Sequence, residues 1–400
     1  MGLQANYDGA AEARHRELRR EFALDPGWVF LNHGSYGARP HAVLDRYRQW
    51  QAELEGQPVA FLGRRLPELL AEARAALADY LGADADEVVY HPNVTTALNV
   101  VARSLPLASG DEVLTTDHEY GALDRTWRFI CAKRAARYVV HPLPERFDDP
   151  NAVVEAIWAG VTPRTRVLFL SHLTSFSALI LPIAPLIARA RAAGIWTVID
   201  GAHAVGQIPL DLHALGVDFY GGNCHKWLCA PPGAGFLYAR HAVQSLVEPL
   251  VVSWGWQARD PGPSRFVDEQ ERQGTRDYSA YLTVPAAIAY QAERDWPRVR
   301  AECHELARYA RDRLAELTGL PPLSSDSPAW FAQMVTAPLP PCDGVALARS
   351  LREEHRVEIP VMPWNGRQFI RVSAQGYTTR ADVEALLAAL AELLPRLRHG

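Results

Sequence analysis

The sequence predicts an α/β fold, a mainly parallel sheet covered by helices, followed by a smaller α+β C-terminal domain. Two observations carry this. Strand-like and helix-like runs alternate from about Leu66 to Arg240, as in consecutive β-α-β units. The run Val167 to Leu170 is continuously apolar, which marks a strand buried on both faces. With 400 residues, 48% of them hydrophobic and 22% charged, the chain can carry two domains around a sizeable core.

The elements follow in order. Met1 to Arg20 is polar, with Glu12, Arg14, Arg16 and Glu17 spaced as on an exposed helix. Leu66 to Tyr80 is rich in Ala, Leu and Glu at helical spacing, Glu87–Tyr90 is strand-like, and Thr95 to Ser104 reads as a helix. A strand at Glu112–Thr115 precedes a helix from Gly121 to Lys133. The strand Arg166–Leu170 and the helix Ile183 to Ala193 come next. Further strands run into Asp200, into Gly221, and over Gly235–Tyr238. Gly, Pro and Asp then break the rhythm from Trp254 to Arg276. Ala280 to about Glu316 is helical, Pro321 to Pro328 is a loop, and an α+β pattern closes in the helix Ala381 to Leu397. These divide the chain into an N-terminal segment, 1–45, packing with the small domain, a large domain, 46–278, and a small C-terminal domain, 279–400.

Composition narrows the function classes. A net charge of −5 gives no electrostatic reason to expect nucleic acid or an acidic membrane as partner. No segment has the apolar length to span a bilayer, and the N-terminus lacks the apolar core of a signal peptide. Five scattered cysteines (Cys131, Cys224, Cys229, Cys303 and Cys342) do not make a disulfide framework. The chain reads as cytoplasmic. No metal site is expected, because Cys224 and Cys229 stand apart from other ligand types. Gly-rich dinucleotide and nucleotide loops and a Gly-x-Ser-x-Gly elbow are missing.

The chemistry gathers around Asp200 and Lys226. Asp200 ends an apolar strand, where open α/β sheets collect ligands, although alone it reads equally as a helix N-cap. Lys226, in Gly221-Gly222-Asn223-Cys224-His225-Lys226-Trp227, could be an ordinary solvated lysine. Its small and apolar neighbours instead predict lost solvation, a lowered pKa and a nucleophilic amine. Such a lysine can hold an aldehyde cofactor as a Schiff base while the acid keeps a pyridine nitrogen protonated. Pyridoxal 5'-phosphate is therefore the expected cofactor. His203 could donate to its phenolate, or be a satisfied structural histidine. Thr95 and Thr96, where a strand passes into a helix, suit a phosphate or merely cap the helix. Asn223 and His225 flank the lysine and could complete that shell. Tyr120 offers a ring for stacking, or simply packs in the core.

At these residues the chain resembles the class V aminotransferase family of fold type I pyridoxal phosphate enzymes, and within it isopenicillin N epimerase-like proteins. The likeness covers about Phe30 to Leu394. It rests on the Asp200-to-Lys226 block with Phe30–Gly37, Asn93–Asn99, Gln273–Asp277 and Ile370–Gln375. The resemblance implies that Lys226 bears the cofactor, that Asp200 pairs with its ring nitrogen, and that His203 stands where cysteine desulfurases have glutamine. Tyr120 would stack where those enzymes place a histidine. Thr95, Thr96, Asn223 and His225 would hold the phosphate, with Thr275 reaching the neighbouring subunit's phosphate across a homodimer with shared sites. Arg371 would clamp the substrate α-carboxylate, a task suited to its planar fork; without the family it reads as a surface arginine on an edge strand. Asn32, His33, His172, Trp254 and Trp256 are further substrate-pocket candidates.

One departure bears on the reaction. Desulfurases carry a mobile catalytic cysteine shortly before that arginine, and Val357 to Gly366 contains none. The expectation is therefore Cα proton abstraction and reprotonation on an amino acid or derivative, as in an epimerase. The alternatives are β-elimination by a C–S lyase, other Cα/Cβ chemistry of the family, and a catalytically inactive binding protein.

Overall fold

A computed structural model of the chain describes residues 7–397. Met1–Asn6 and Arg398–Gly400, the outer ends of the N-terminal stretch and the C-terminal domain, lie outside the described residues. The centre is a seven-stranded sheet of β1 (Val88–His91), β2 (Glu112–Thr116), β3 (Arg137–His141), β4 (Thr165–Ser171), β5 (Trp196–Asp200), β6 (Phe219–Asn223) and β7 (Gly235–Ala239). Their spatial order is β1-β7-β6-β5-β4-β2-β3. Only β7 runs against its neighbours, β1 and β6, so six strands point the same way.

Both faces of this sheet are buried because alternate strand residues feed two separate cores. Val167, Phe169, Val198, Phe219 and Leu237 pack with Val94, Leu98, Val101 and Trp127 on one side. Leu168, Leu170, Ile199, Tyr220 and Phe236 join Leu70, Leu77, Ile157, Ile183 and Leu186 on the other. That period of two explains why β4 reads as an unbroken apolar run. Strand β3 and the helix Pro150–Trp158 are absent from the sequence reading. β3 lies at the sheet edge with no fully buried residue, so Arg137 and His141 dilute its apolar signal.

The helical stretch after Ala280 divides into Ser279–Leu282, Val284–Ala292 and Trp296–Thr318. Pro285 and Pro297 each occupy a first turn, where proline's missing N–H does no harm. The first two helices pack on His41–Gly56 and Leu66–Leu81, and Trp50 Nε1 donates to Leu282 O at 2.9 Å. The long third helix covers the small antiparallel sheet of Met334–Leu339, Arg367–Ser373 and Val361–Trp364. A helix at Arg265–Glu271, capped by Ser264, is hidden in the sequence by the surrounding Gly and Pro.

Gly9–Glu21 is a helix, but it is not exposed all round: Ala11, His15 and Leu18 are buried. Arg14 pairs with Glu302 and Arg19 with Asp382, while His15 Nδ1 bonds Thr378 O at 2.7 Å. Val29–Phe30 then pairs in parallel with Val357–Glu358, and Asn32 bridges Ser373. Among the described residues no helix is long and apolar enough to cross a membrane.

Candidate active site

The six co-directional strands deliver their C-terminal ends to one edge of the sheet, and a cavity of about 370 Å³ opens there. Asn93 and Thr95 enter it just after β1, Tyr120 after β2, Ser171 from β4, Asp200 from β5 and Asn223 from β6. His203, His225, Lys226, Ser35, Tyr36 and Ser175 also line it. The edge of an open α/β sheet is where such folds bind ligands.

Lys226 Nζ lies 3.0 Å from His203 Nε2. Burial lowers the lysine to about 7, reinforced by the Arg371 charge and partly opposed by Asp200. Burial, with the lysine charge adding to it, drives His203 well below its ordinary range, so its imidazole is neutral. Asp200 is 2% exposed. One of its oxygens accepts from the Ala202 amide at 2.8 Å, and among the described residues it has no ion-pair partner. Burial lifts it to about 6, leaving an acid that favours a nearby cation.

The helix Val94–Ser104 aims its N-terminus at the same cavity. Asn93 caps it through the Thr96 amide at 2.9 Å, and Asn223 Oδ1 accepts from Val94 N at 2.9 Å. Thr95 faces the cavity, whereas the Thr96 hydroxyl turns back to Asn93 at 3.1 Å. His225 bonds Ala234 O at 3.2 Å, and burial lowers it to about 4. A helix start with a hydroxyl, an amide and an imidazole beside it suits an anion such as phosphate.

Arg371 is 3% exposed and, among the described residues, has no carboxylate partner. Its guanidinium donates to Ser175 O and Ser175 Oγ, and to Ser35 Oγ at 3.2 Å, while Nε is unpartnered. Burial lowers it to about 10. Arg371 is thus a desolvated cation standing behind the cavity wall that Ser35 and Ser175 form, and Asp200 is a buried acid in that wall. This donor set fits a group with a ring nitrogen, an aldehyde and a phosphate, plus a substrate carboxylate.

The other sequence-predicted residues are distributed differently. Tyr120 sits at the cavity, 44% exposed. His33 is fully buried behind the lysine loop, bonded to Tyr377 Oη at 2.9 Å and Lys226 O at 3.1 Å. Gly37, at φ +70, lets the chain pass so close that a Cβ there would meet His225 O. Asn32 bonds Glu358 and Ser35, and His172 bonds Tyr220 Oη at 3.0 Å. None of these three lines the cavity. Thr275 and Trp254 line a separate outer groove with Leu62, Leu66 and Leu70, and Trp256 is half exposed.

The sequence reading missed several residues here. Ser171 enters from β4, and Ser35, Tyr36 and Ser175 reach the cavity from segments distant in sequence, which no local pattern reveals. Glu119 is another: it accepts from Ser171 N at 2.8 Å, Ser171 Oγ at 2.6 Å and Thr116 Oγ1 at 2.7 Å. Burial raises it to about 8. It ties β2 to β4 immediately before Tyr120.

Known proteins resemble this chain in sequence and in fold. The aminotransferase class-V family profile matches residues 29–386. The isopenicillin N epimerase of Amycolatopsis lactamdurans is 39% identical over 94% of this chain and 97% of its own length. An L-cysteine desulfhydrase of Arabidopsis thaliana is 26% identical over 98% of this chain and 92% of its own. Among solved structures, a lysine-to-alanine variant of C-DES with glycine covalently linked to its PLP cofactor superposes with a TM-score of 0.84. It is 25% identical, and the match covers 94% of this chain and 99% of C-DES.

Proposed function

The chain belongs to the class-V aminotransferase family, and from that premise we propose an enzyme that epimerises an amino acid or amino-acid derivative at Cα. Pyridoxal 5'-phosphate is its cofactor, and when bound it withdraws electrons from the bonds at Cα. The observation that carries the reading is the Lys226 amine, hydrogen-bonded to a neutral imidazole and tuned to about 7. An amine so tuned is half free at neutral pH and can take a proton from Cα and return it. With the cofactor in place Asp200 would keep the ring nitrogen protonated, and His203 would offer its Nε2 proton to a ring oxygen. Tyr120 offers its ring for stacking. Thr95, Asn223 and His225 hold the phosphate, with Thr96 fixing the helix start. Arg371, steadied by Ser35 and Ser175, holds the substrate carboxylate. Inversion needs a proton delivered to the other face of Cα, from water or from Tyr36 or Tyr120, the two phenols of the cavity. Asn32, His33 and His172 support these groups from behind.

A second reading, β-elimination by a C–S lyase, is favoured by the likeness to a cysteine desulfhydrase and to C-DES, itself described as a cystine C-S lyase. The same lysine would serve both. Persulfide-forming desulfuration is disfavoured, because Val357–Gly366 has no cysteine. A purely binding role leaves the desolvated Lys226, Asp200 and Arg371 without a purpose. Turnover of amino acids in deuterated water separates the readings. Epimerisation puts deuterium at Cα of an inverted product, whereas elimination from a sulfur amino acid releases a keto acid and a thiol. If no amino acid exchanges its Cα hydrogen or loses a leaving group, chemistry at Cα is ruled out.

We also propose a homodimer in the cytoplasm. The groove holding Thr275 is walled by Leu62, Leu66, Leu70 and Trp254, with Trp254 84% and Val252 66% exposed. An exposed apolar face of this kind suits a second copy of the chain. All five cysteines are buried and unpaired, which suits a reducing compartment. Light scattering at working concentration is expected to give twice the mass of one chain; a monomer that turns over substrate would sink the shared-site arrangement.

A further inference from the structure

A buried tryptophan next to the lysine bears on how His203 works. Trp227 is fully buried, and its indole Nε1 points at His203 Nδ1, 3.3 Å away. The opposite ring nitrogen, Nε2, is the one 3.0 Å from Lys226 Nζ. An indole N–H donates and cannot accept, so the nitrogen that it faces must be bare. A neutral imidazole carries one proton, which then has to sit on Nε2. Lys226 therefore meets a donor rather than a lone pair, and only the unprotonated amine can accept from it.

Trp227 is held in this pose from several directions. Gln291 Nε2 donates to its carbonyl at 2.8 Å. Gly206, at φ +83, presses its bare Cα against the Trp227 peptide, where any Cβ would come within 2.5 Å of the carbonyl carbon. The His33 ring lies 5.0 Å from the indole, and Leu173, Ala178 and Met334 pack around it. His203 is anchored as well: its carbonyl accepts from Gln207 Nε2 at 2.7 Å, and Gln207 Oε1 accepts from Gln333 N at 2.9 Å. Burial alone does not dictate the contact, since the buried indoles of Trp127 and Trp296 have unpartnered Nε1 atoms.

We propose that Trp227 is a positioning residue that fixes the His203 tautomer, keeping its Nε2 proton aimed at Lys226. The inference rests on the reading of Lys226 as the cofactor-bearing lysine. A group behind a histidine that sets its tautomer in this way governs what the ring presents to its substrate.

Nitrogen NMR of cofactor-free protein with labelled histidine tests this directly, with the His203 signal assigned through its loss in His203→Gln. The expected result is a protonated Nε2 and bare Nδ1 in the native chain, with the proton shared between or transferred to Nδ1 in Trp227→Phe. A native ring protonated at Nδ1, or a Trp227→Phe ring unchanged from the native one, overturns the proposal. In the loaded enzyme Trp227→Phe is expected to lower kcat/KM about tenfold or more, yet to add nothing in a His203→Gln background, since an amide has no tautomer to lose. Equal losses in both backgrounds mean that Trp227 only fills space, and also overturn it. Loss of the tautomer result with Cα exchange intact defeats this inference alone. Absence of Cα chemistry with the tautomer as described defeats the functional reading alone.

Discussion

Lys226→Ala is expected to change the visible absorption of the bound cofactor, since the lysine linkage is gone, and to lower turnover by at least about 10³-fold. The side chain supplies the single amine that His203 Nε2 contacts, and no other lysine lines the cavity. The change should not unfold the protein. An unfolded lysine stays protonated up to its ordinary 10.5, whereas this one is protonated only up to about 7. Between those pH values folding expels a proton, so Lys226 costs stability there, less so as pH rises toward 10.5. Cofactor-free Lys226→Ala should therefore melt at or above the native temperature at about pH 7. The same amine sets the pH course of cofactor capture, which should quicken as pH rises through about 7. Turnover within about tenfold of native would refute the assignment.

Asp200→Asn should be nearly as damaging, lowering kcat by about 10²–10³-fold while the cofactor remains bound through Lys226. An amide cannot hold a charge opposite the ring nitrogen, although it preserves the volume and can still accept from the Ala202 amide. The pH dependence should shift with it. In the cofactor-free chain burial raises Asp200 to about 6, and a cation beside it draws that value down. Protons therefore compete with the cofactor, and retention on dialysis should weaken as pH falls through about 6 in the native enzyme. The Asp200→Asn enzyme should lack that step. A variant with kcat within about threefold of native would show that the carboxylate charge is dispensable.

What the sequence made legible is what local pattern encodes. The apolar runs of β4 and β5 and the small residues around Lys226 record burial directly, and burial is what tunes Asp200 and Lys226. Strand β3 escaped because an edge strand has only one neighbour and tolerates polar residues. His33 was legible only through the family resemblance, as a substrate-pocket candidate, and its direction was not. Three partners, Tyr377, Gln375 and the Lys226 carbonyl, turn it away from the cavity. Glu119, Ser35 and Ser175 were invisible for a related reason: each acts through a contact with a strand or loop far away in sequence, such as Ser171, 52 residues from Glu119. The division at residue 279 came from a change in pattern, while the helices beyond it keep packing partners on either side.

The pairing of Val29–Phe30 with Val357–Glu358 has a consequence for how the enzyme comes into being. Asn32 and its partner Glu358 are 326 residues apart, and Leu31 O accepts from Ser373 N at 2.9 Å, beside Arg371. A nascent chain thus carries Val29–Phe30 without its partner strand until Val357–Glu358 has left the ribosome. The central sheet can form during synthesis from its own short-range units, but the backing of the lysine loop by His33, Gln375 and Tyr377 cannot. The backing of the lysine loop is consequently a late event in folding, reached when segments 326 residues apart meet.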